Sequence, residues 1–170
     1  MRLYSGKISP IVDEILTSLE KDGDIELEQK EEARLDLEAV LKEFVRRERS
    51  IVDEAKARME REGLSYSMLG KLKSRVAKET GFPPSDETLP YILDQLVTML
   101  FHSNNIAEIF AEDVALRKKM TPILRRHMEV ESELDKEVRG RIKNLSEGTA
   151  SFEIEYAKVL EQIKRKKGLS

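Results

Sequence analysis

The stretch that decides the fold runs from Lys30 to Glu62 and has the sequence KEEARLDLEAVLKEFVRRERSIVDEAKARMERE. It contains neither proline nor glycine, and Glu48 is the one polar interruption of a nearly heptad apolar pattern. The apolar positions are Leu37, Leu41, Phe44, Ile51, Ala55 and Met59. This spacing predicts one amphipathic helix about 50 Å long. Charged pairs at the four-residue spacing, Glu43 with Arg47 and Glu54 with Arg58, indicate that its other faces are solvated.

Shorter helices are predicted on both sides of this long one. Apolar residues from Ile8 to Leu19 recur at helical spacing, with Ser9 as a candidate N-cap and Pro10 at the first helical position. Asp22-Gly23-Asp24 ends that helix, and residues 25–28 are interpreted as an extended connection. After Gly63, a third helix with Ser65 as its candidate cap carries the apolar residues Tyr66, Leu69, Leu72 and Val76. Gly81-Phe82-Pro83-Pro84 ends it.

The pattern then starts again, which indicates an internal repeat. Identical residues lie 81 positions apart, at Ile11/Ile92, Asp13/Asp94, Thr17/Thr98, Leu19/Leu100, Ile25/Ile106, Glu31/Glu112 and Leu35/Leu116. The offset later becomes 83, pairing Ile51, Ala55 and Met59 with Leu134, Val138 and Ile142, and then 87, pairing Gly81 with Gly168. We expect the first two added residues near Thr121-Pro122, where proline should interrupt the second long helix, and the others near Gly148. The alternative is that amphipathic helices resemble one another through periodicity alone.

The predicted fold is therefore all-α, with two tandem duplicated short-long-short helical units packed into one elongated helical bundle. The first unit spans residues 1–81 and the second spans residues 82–170. Each unit alone has a thin core, so we expect the halves, or copies of the chain, to pack together.

Composition excludes several classes of protein. The 170 residues carry a net charge of -3 although 37% of them are charged, which argues against a uniformly basic nucleic-acid binder. With no cysteine, the chain lacks disulfides, thiolate metal sites and thiol catalysis. No window approaches 18 uncharged apolar residues, and the first residues lack the apolar core of a secretion signal. We expect a soluble, unsecreted cytoplasmic protein with no membrane role.

Motifs for catalysis are absent from the sequence. No GxGxxG, GxxxxGK[ST] or GxSxG occurs. His102 is followed by a turn-like Ser-Asn-Asn, and His127 has Glu131 four residues later, a pairing that arises easily by chance among 33 carboxylates. The carboxylate pairs Asp53-Glu54 and Glu112-Asp113 are interpreted as ion-pair partners rather than metal ligands. The sequence therefore predicts no catalytic, cofactor-binding or metal-binding residue, no cofactor and no small-molecule substrate.

Charge is unevenly distributed along the chain. Residues 12–40 hold eleven acidic and three basic side chains, a net charge of -8, whereas residues 64–82 have +3 and residues 149–170 have +2. The basic side chains of the two short helices are candidate contacts for a polyanion or an acidic partner: Lys71, Lys73, Arg75, Lys78, Lys164, Arg165, Lys166 and Lys167. The alternative, which we favour at this point, is that they complement neighbouring acidic helices and helix dipoles.

Several short motifs resemble a bacterial family of unknown function, the domain-of-unknown-function family numbered five hundred and seven. They are Met1-Arg2-Leu3 followed by Lys7-Ile8, Glu79-Thr80-Gly81-Phe82, and Gly148 with Tyr156. The resemblance spans the whole chain. It implies no activity, because the family is itself uncharacterised. The tail differs from the family pattern, since Val159, Leu160 and Lys164 to Lys167 stand where more aromatic and acidic residues are usual.

These patterns favour a non-enzymatic protein-interaction or assembly module that binds a protein partner or its own copy. The alternative is a nucleic-acid-binding protein that uses the basic short helices, and a small metal-dependent enzyme is the third hypothesis. Met59, Met99, Met120 and Met128 are interpreted as core residues rather than as an adaptable binding surface.

Overall fold

The computed structural model describes residues 2–169, apart from the side chains of Glu131 and Ser132. Met1, Ser170 and the Glu131 carboxylate, which entered the predictions above, lie outside the described residues. The elements in chain order are α1 (Ile8–Lys21), β1 (Ile25–Leu27), α2 (Lys30–Glu62), α3 (Leu69–Glu79), α4 (Thr88–His102), β2 (Ile106–Ile109), α5 (Asp113–Met128), α6 (Val130–Arg141) and α7 (Ala150–Lys166). The chain is thus mostly helical, as predicted.

The long helix α2 has the predicted bounds. Glu31 and Glu32 lie in its first turn, where carboxylates complement the helix dipole, and Gly63 ends it in the left-handed conformation at φ 64°. Each predicted apolar position of α2 is buried. The polar interruption at Glu48 also has a role, because its carboxylate lies 3.5 Å from the Arg2 guanidinium.

The main core is formed where α1 and α4 each pack against both α2 and α5. Met120 and Met128 are buried there and Met99 packs against it from the side, while Met59 is buried further along α2, so all four predicted core methionines are confirmed. Ser9, in contrast, is not an N-cap. A short 3₁₀ turn, Ser5–Lys7, leads into α1 at Ile8, and the Ser9 hydroxyl donates to the buried Glu38 carboxylate at 2.7 Å.

A two-stranded antiparallel ribbon corrects the all-α prediction. The segment interpreted as a connection forms β1, which pairs with β2 through Ile25 opposite Ile109, Glu26 opposite Glu108 and Leu27 opposite Ile106. Ala107 is therefore an extra residue in β2 and makes a bulge. The apolar Ile25 and Ile106 face the core, which explains why this short ribbon forms at all.

The second long helix is broken, but not at the predicted proline. Pro122 lies inside α5, and the break between α5 and α6 comes at Glu129. A proline removes one backbone donor and crowds the carbonyl four residues earlier, here that of Lys118, yet the helix continues past it. The neighbouring Thr121 hydroxyl donates to the Arg117 carbonyl at 2.7 Å. Helices α2 and α5 begin 83 residues apart.

Two helical hairpins extend from the core, and we call them the first and second arms. The first arm is α2 from Ile51 onward with α3, whose buried Leu72 and Val76 pack against α2. The second arm is α6 with α7, and its small core also takes in Tyr4 and Leu169 from the two ends of the chain. Across the described residues, every helix is too short or too polar to cross a membrane.

Candidate interaction surface

The basic side chains of α3 are exposed on the first arm. Lys71, Arg75 and Lys78 are four and then three residues apart, so they share one stripe of the helix, and Lys73 lies beyond the buried Leu72 and Val76 on the other flank. All four are exposed. We call the stripe of Lys71, Arg75 and Lys78 the α3 basic face.

None of these four side chains forms an ion pair with a described residue. The ion pair that joins α3 to α2 is made by other residues, Arg58 with Glu79 at 2.7 Å. The hydrogen bond from Arg58 lowers the pKa of the Glu79 carboxyl, and the charge of Arg75 adds to that effect. Helix α3 is therefore joined to the long helix by an ion pair that its four predicted basic residues do not make. Lys78 lies in the last turn of α3, where its charge complements the helix dipole, one of the intramolecular roles that the sequence favoured.

The corresponding residues of α7 are mostly engaged within the chain. The Lys164 ammonium lies 5.3 Å from the centre of the Tyr4 ring and 3.8 Å from Glu161, and burial lowers its pKa, helped by the charge of Arg2. Arg165 lies 3.4 Å from Glu161, and Lys167 lies 3.1 Å from Glu137.

Lys166 differs from these three, since it is exposed and has no ion-pair partner among the described residues. The two predicted basic helices are thus brought to separate arms. Only α3, the basic helix of the first arm, has all of its predicted basic side chains exposed and without an ion-pair partner among the described residues.

The outer face of the ribbon has the opposite charge. Glu26, Glu28 and Glu108 are exposed, and no described side chain forms an ion pair with them. Glu26 and Glu108 are directly opposite each other across the two strands, an arrangement that destabilises a strand pair. We call these three residues the acidic ribbon face.

These two charged faces lie at opposite ends of α2. The ribbon is tied to the start of α2 through the backbone bonds from Glu28 and Gln29 to the Asn105 carbonyl. Helix α3 instead packs on the segment around Ala55, about 40 Å further along the helix. The α3 basic face and the acidic ribbon face therefore do not neutralise each other within one chain.

The predicted candidates for metal or acid-base chemistry are held in structural contacts. His102 ends α4, and its Nδ1 lies 2.8 Å from the Thr98 carbonyl oxygen. His127 Nε2 lies 2.7 Å from Glu14. Burial raises the pKa of Glu14, but hydrogen bonds from His127 and Arg126 outweigh it, so the net shift is downward.

One member of each predicted carboxylate pair forms an ion pair. Asp113 pairs with Arg117, and Glu54 lies 2.9 Å from Arg58, as predicted. No group of three metal-ligating side chains lies together among the described residues.

Arg47 has a role that its spacing from Glu43 did not suggest. Glu43 pairs with Arg46 at 2.6 Å, while Arg47 donates to the Tyr91 hydroxyl at 2.8 Å and to the Thr80 carbonyl at 3.0 Å. Its guanidinium also lies 5.3 Å from the centre of the Phe82 ring. Arg47 thus holds the end of the first arm against α4. A cavity of about 150 Å³ beside it is lined by Arg47, Glu43 and Tyr91 among other residues, and Arg47 is the one basic residue among the described residues that line it.

Comparison with protein-family models identifies the family of the chain. A family model described as a protein of unknown function, DUF507, matches residues 1–169. The chain therefore belongs to this family, as the short motifs indicated. No curated protein matches the chain.

Proposed function

We propose that this member of the DUF507 family is a non-enzymatic protein-interaction module that binds an acidic protein surface through the α3 basic face. One observation carries the proposal. Four basic side chains of one short helix are exposed and unpaired among the described residues, in a chain whose other arginines and lysines are widely paired with carboxylates. A concentrated field of one sign steers and orients a partner of opposite charge.

The rigidity of the first arm supports the same function. Ala55 is fully buried and lets α3 approach α2 closely. At the C-terminus of α3, Gly81 adopts φ 69° and the Phe82 amide donates to the Ala77 carbonyl at 2.9 Å, which fixes the end of the helix. A preorganised face loses less conformational entropy when a partner binds.

We further propose that the body is a tandem duplication. Equivalent contacts in the two halves support this: Arg34 pairs with Asp13 at 2.6 Å, and Arg117 pairs with Asp94. A second set of contacts occupies equivalent positions in the two halves, but the charge of the residue on the long helix is reversed. Asp36 of α2 accepts bonds from Ser103 and Asn105 after α4, whereas Lys119 of α5 donates to Asp22 and Asp24 after α1.

The duplication gives the arms different uses. In the second arm, Lys164 and Lys167 serve contacts with Tyr4 and Glu137, so α7 secures the two chain ends. The basic residues of α3 in the first arm form no such ion pairs with described residues. We therefore assign docking to α3 alone, in a protein that we propose to be cytoplasmic because its cysteine-free composition suits a reducing compartment.

The experiment compares matched charge reversals on the two arms. Lys71→Glu with Lys78→Glu alters α3, and Lys158→Glu with Lys166→Glu makes the same change of charge at exposed sites of α7 that have no ion-pair partner in the described chain. Tagged wild-type and variant chains are used to recover partners from native cell lysate, with and without nuclease. We expect a stoichiometric acidic protein that survives nuclease, is lost with the α3 variant and is kept with the α7 variant.

Two outcomes would overturn this assignment. If both variants recover the same partner in the same yield, the α3 basic face is not the docking surface. If recovery depends on intact nucleic acid, the ligand is RNA or DNA, the alternative that the sequence left open. No aromatic side chain is interleaved with the basic residues of α3 to stack on bases, which is why we favour a protein.

A further inference from the structure

We propose that the acidic surface bound by the α3 basic face is the acidic ribbon face of a second copy of this chain, in a closed antiparallel dimer. This inference rests on the proposed function and names the partner. In this dimer the α3 basic face of each chain contacts the acidic ribbon face of the other, so the same contact forms twice.

Charge complementarity is the first argument. The α3 stripe presents Lys71, Arg75 and Lys78, and the ribbon presents Glu26, Glu28 and Glu108, so three positive charges meet three negative ones. Each set lacks ion-pair partners among the described residues of its own chain. A basic neighbour would also relieve the repulsion between Glu26 and Glu108 across the ribbon.

The spacing of the two sets agrees as well. Along α3 the stripe rises about 6 Å from Lys71 to Arg75 and about 4.5 Å from Arg75 to Lys78. Along β1, Glu26 and Glu28 are about 7 Å apart, and the cross-strand neighbours Glu26 and Glu108 are about 5 Å apart. The separations within the two sets are therefore of similar size, and the long Lys and Arg side chains can reach carboxylates that do not lie in one row.

The position of the two faces decides the symmetry of the assembly. They lie about 40 Å apart at opposite ends of α2, so they cannot meet within one chain. Two chains whose α2 helices run antiparallel bring the basic end of each to the acidic end of the other. Both contacts then form at once and the assembly closes as a twofold dimer rather than growing into a filament.

Sedimentation of the purified full-length chain tests the dimer. At low salt and high protein concentration we expect a species of twice the 19.6 kDa chain mass, with a dissociation constant that rises at least about tenfold as salt screens the contact. A chain that stays monomeric under these conditions overturns the inference. So does a series of ever larger species, because closure would then be absent.

Charge-swapped variants test the identity of the two faces. The basic-to-acidic variant carries Lys71→Glu with Lys78→Glu, and the acidic-to-basic variant carries Glu26→Lys with Glu108→Lys. Each variant alone faces like charge at both contacts, so we expect each to be monomeric, with circular dichroism confirming that it folds. Mixed in equal amounts they regain opposite charges at both contacts, and we expect a one-to-one heterodimer.

The mixing result separates this inference from the proposed function. If the mixture stays monomeric while lysate recovery still depends on Lys71 and Lys78, the dimer is wrong and another acidic protein occupies the α3 basic face. If the Lys158→Glu with Lys166→Glu control also abolishes the dimer, the effect is one of net charge and the assigned faces are wrong.

Discussion

Replacing Gly6 by alanine tests how the two ends of the chain are held together. Gly6 lies in the 3₁₀ turn before α1, and its amide donates to the Leu169 carbonyl at 2.6 Å. A Cβ at this position would overlap the Gly168 carbonyl oxygen and lie 2.5 Å from the Leu169 Cα. Both neighbours are backbone, so the tail of the chain has to move away from the turn.

The cost follows from what that movement breaks. The lost Gly6–Leu169 hydrogen bond is worth about 1 kcal/mol. Leu169 is 5% exposed, and releasing it from the second arm costs about 1.5–3 kcal/mol more. We therefore expect Gly6→Ala to lower the free energy of unfolding by about 2.5–4 kcal/mol.

Urea unfolding measures this loss, and Gly70→Ala is the matched control. Gly70 lies in α3, and a Cβ added there would have no neighbouring atom within 4 Å, so alanine should stabilise the helix by up to about 1 kcal/mol. Opposite signs for the two glycines support the close approach of the chain ends. A Gly6→Ala protein as stable as the wild type would refute it.

Three further predictions concern stability. Tyr156→Phe removes the hydroxyl that donates to Asp135 at 2.5 Å and lowers the pKa of that carboxyl; we expect a loss of about 1 kcal/mol in thermal unfolding, and no change would contradict the bond. The pKa of Glu14 is lower in the folded chain than its ordinary value of 4.5, so its contribution to stability is present above that value and lost as pH falls through the folded pKa. Urea unfolding across the acid range should show a shallower loss for Glu14→Gln than for the wild type, and identical curves would count against this role. Ala55→Leu overfills the contact between α2 and α3, so hydrogen exchange in α3 should accelerate, with a cost of about 1–3 kcal/mol, and unchanged exchange would show that the arm has room.

The helices were predictable because their signals are local. An uninterrupted apolar period and a glycine stop were enough to set both ends of α2, and Gly81 ends α3 for the same reason. The ribbon was not predictable, since β1 has three residues and its partner lies about 80 residues away in sequence. The break at Glu129 rather than Pro122 also depends on contacts that periodicity does not contain.

The candidate surface was only half predictable. Composition identified the basic residues of α3 and α7 as two equivalent sets. Which set lacks intramolecular partners depends on where Tyr4 and Glu137 lie. Their proximity to Lys164 and Lys167 is set by the tertiary structure. Glu26 and Glu28 lie in a segment that the sequence analysis interpreted as a connection, and Glu108 joins them only through strand pairing.

The central claim is that the α3 basic face, and not α7, is the docking surface, and lysine reactivity tests it most directly. Acetylation rates of individual lysines are measured by mass spectrometry on the full-length chain, dilute and at high concentration, and again in native lysate. We predict that Lys71 and Lys78 become protected in lysate, and at high concentration if the partner is a second copy, while the exposed Lys158 and Lys166 react at unchanged rates. Equal reactivity of the α3 lysines under all these conditions would contradict it.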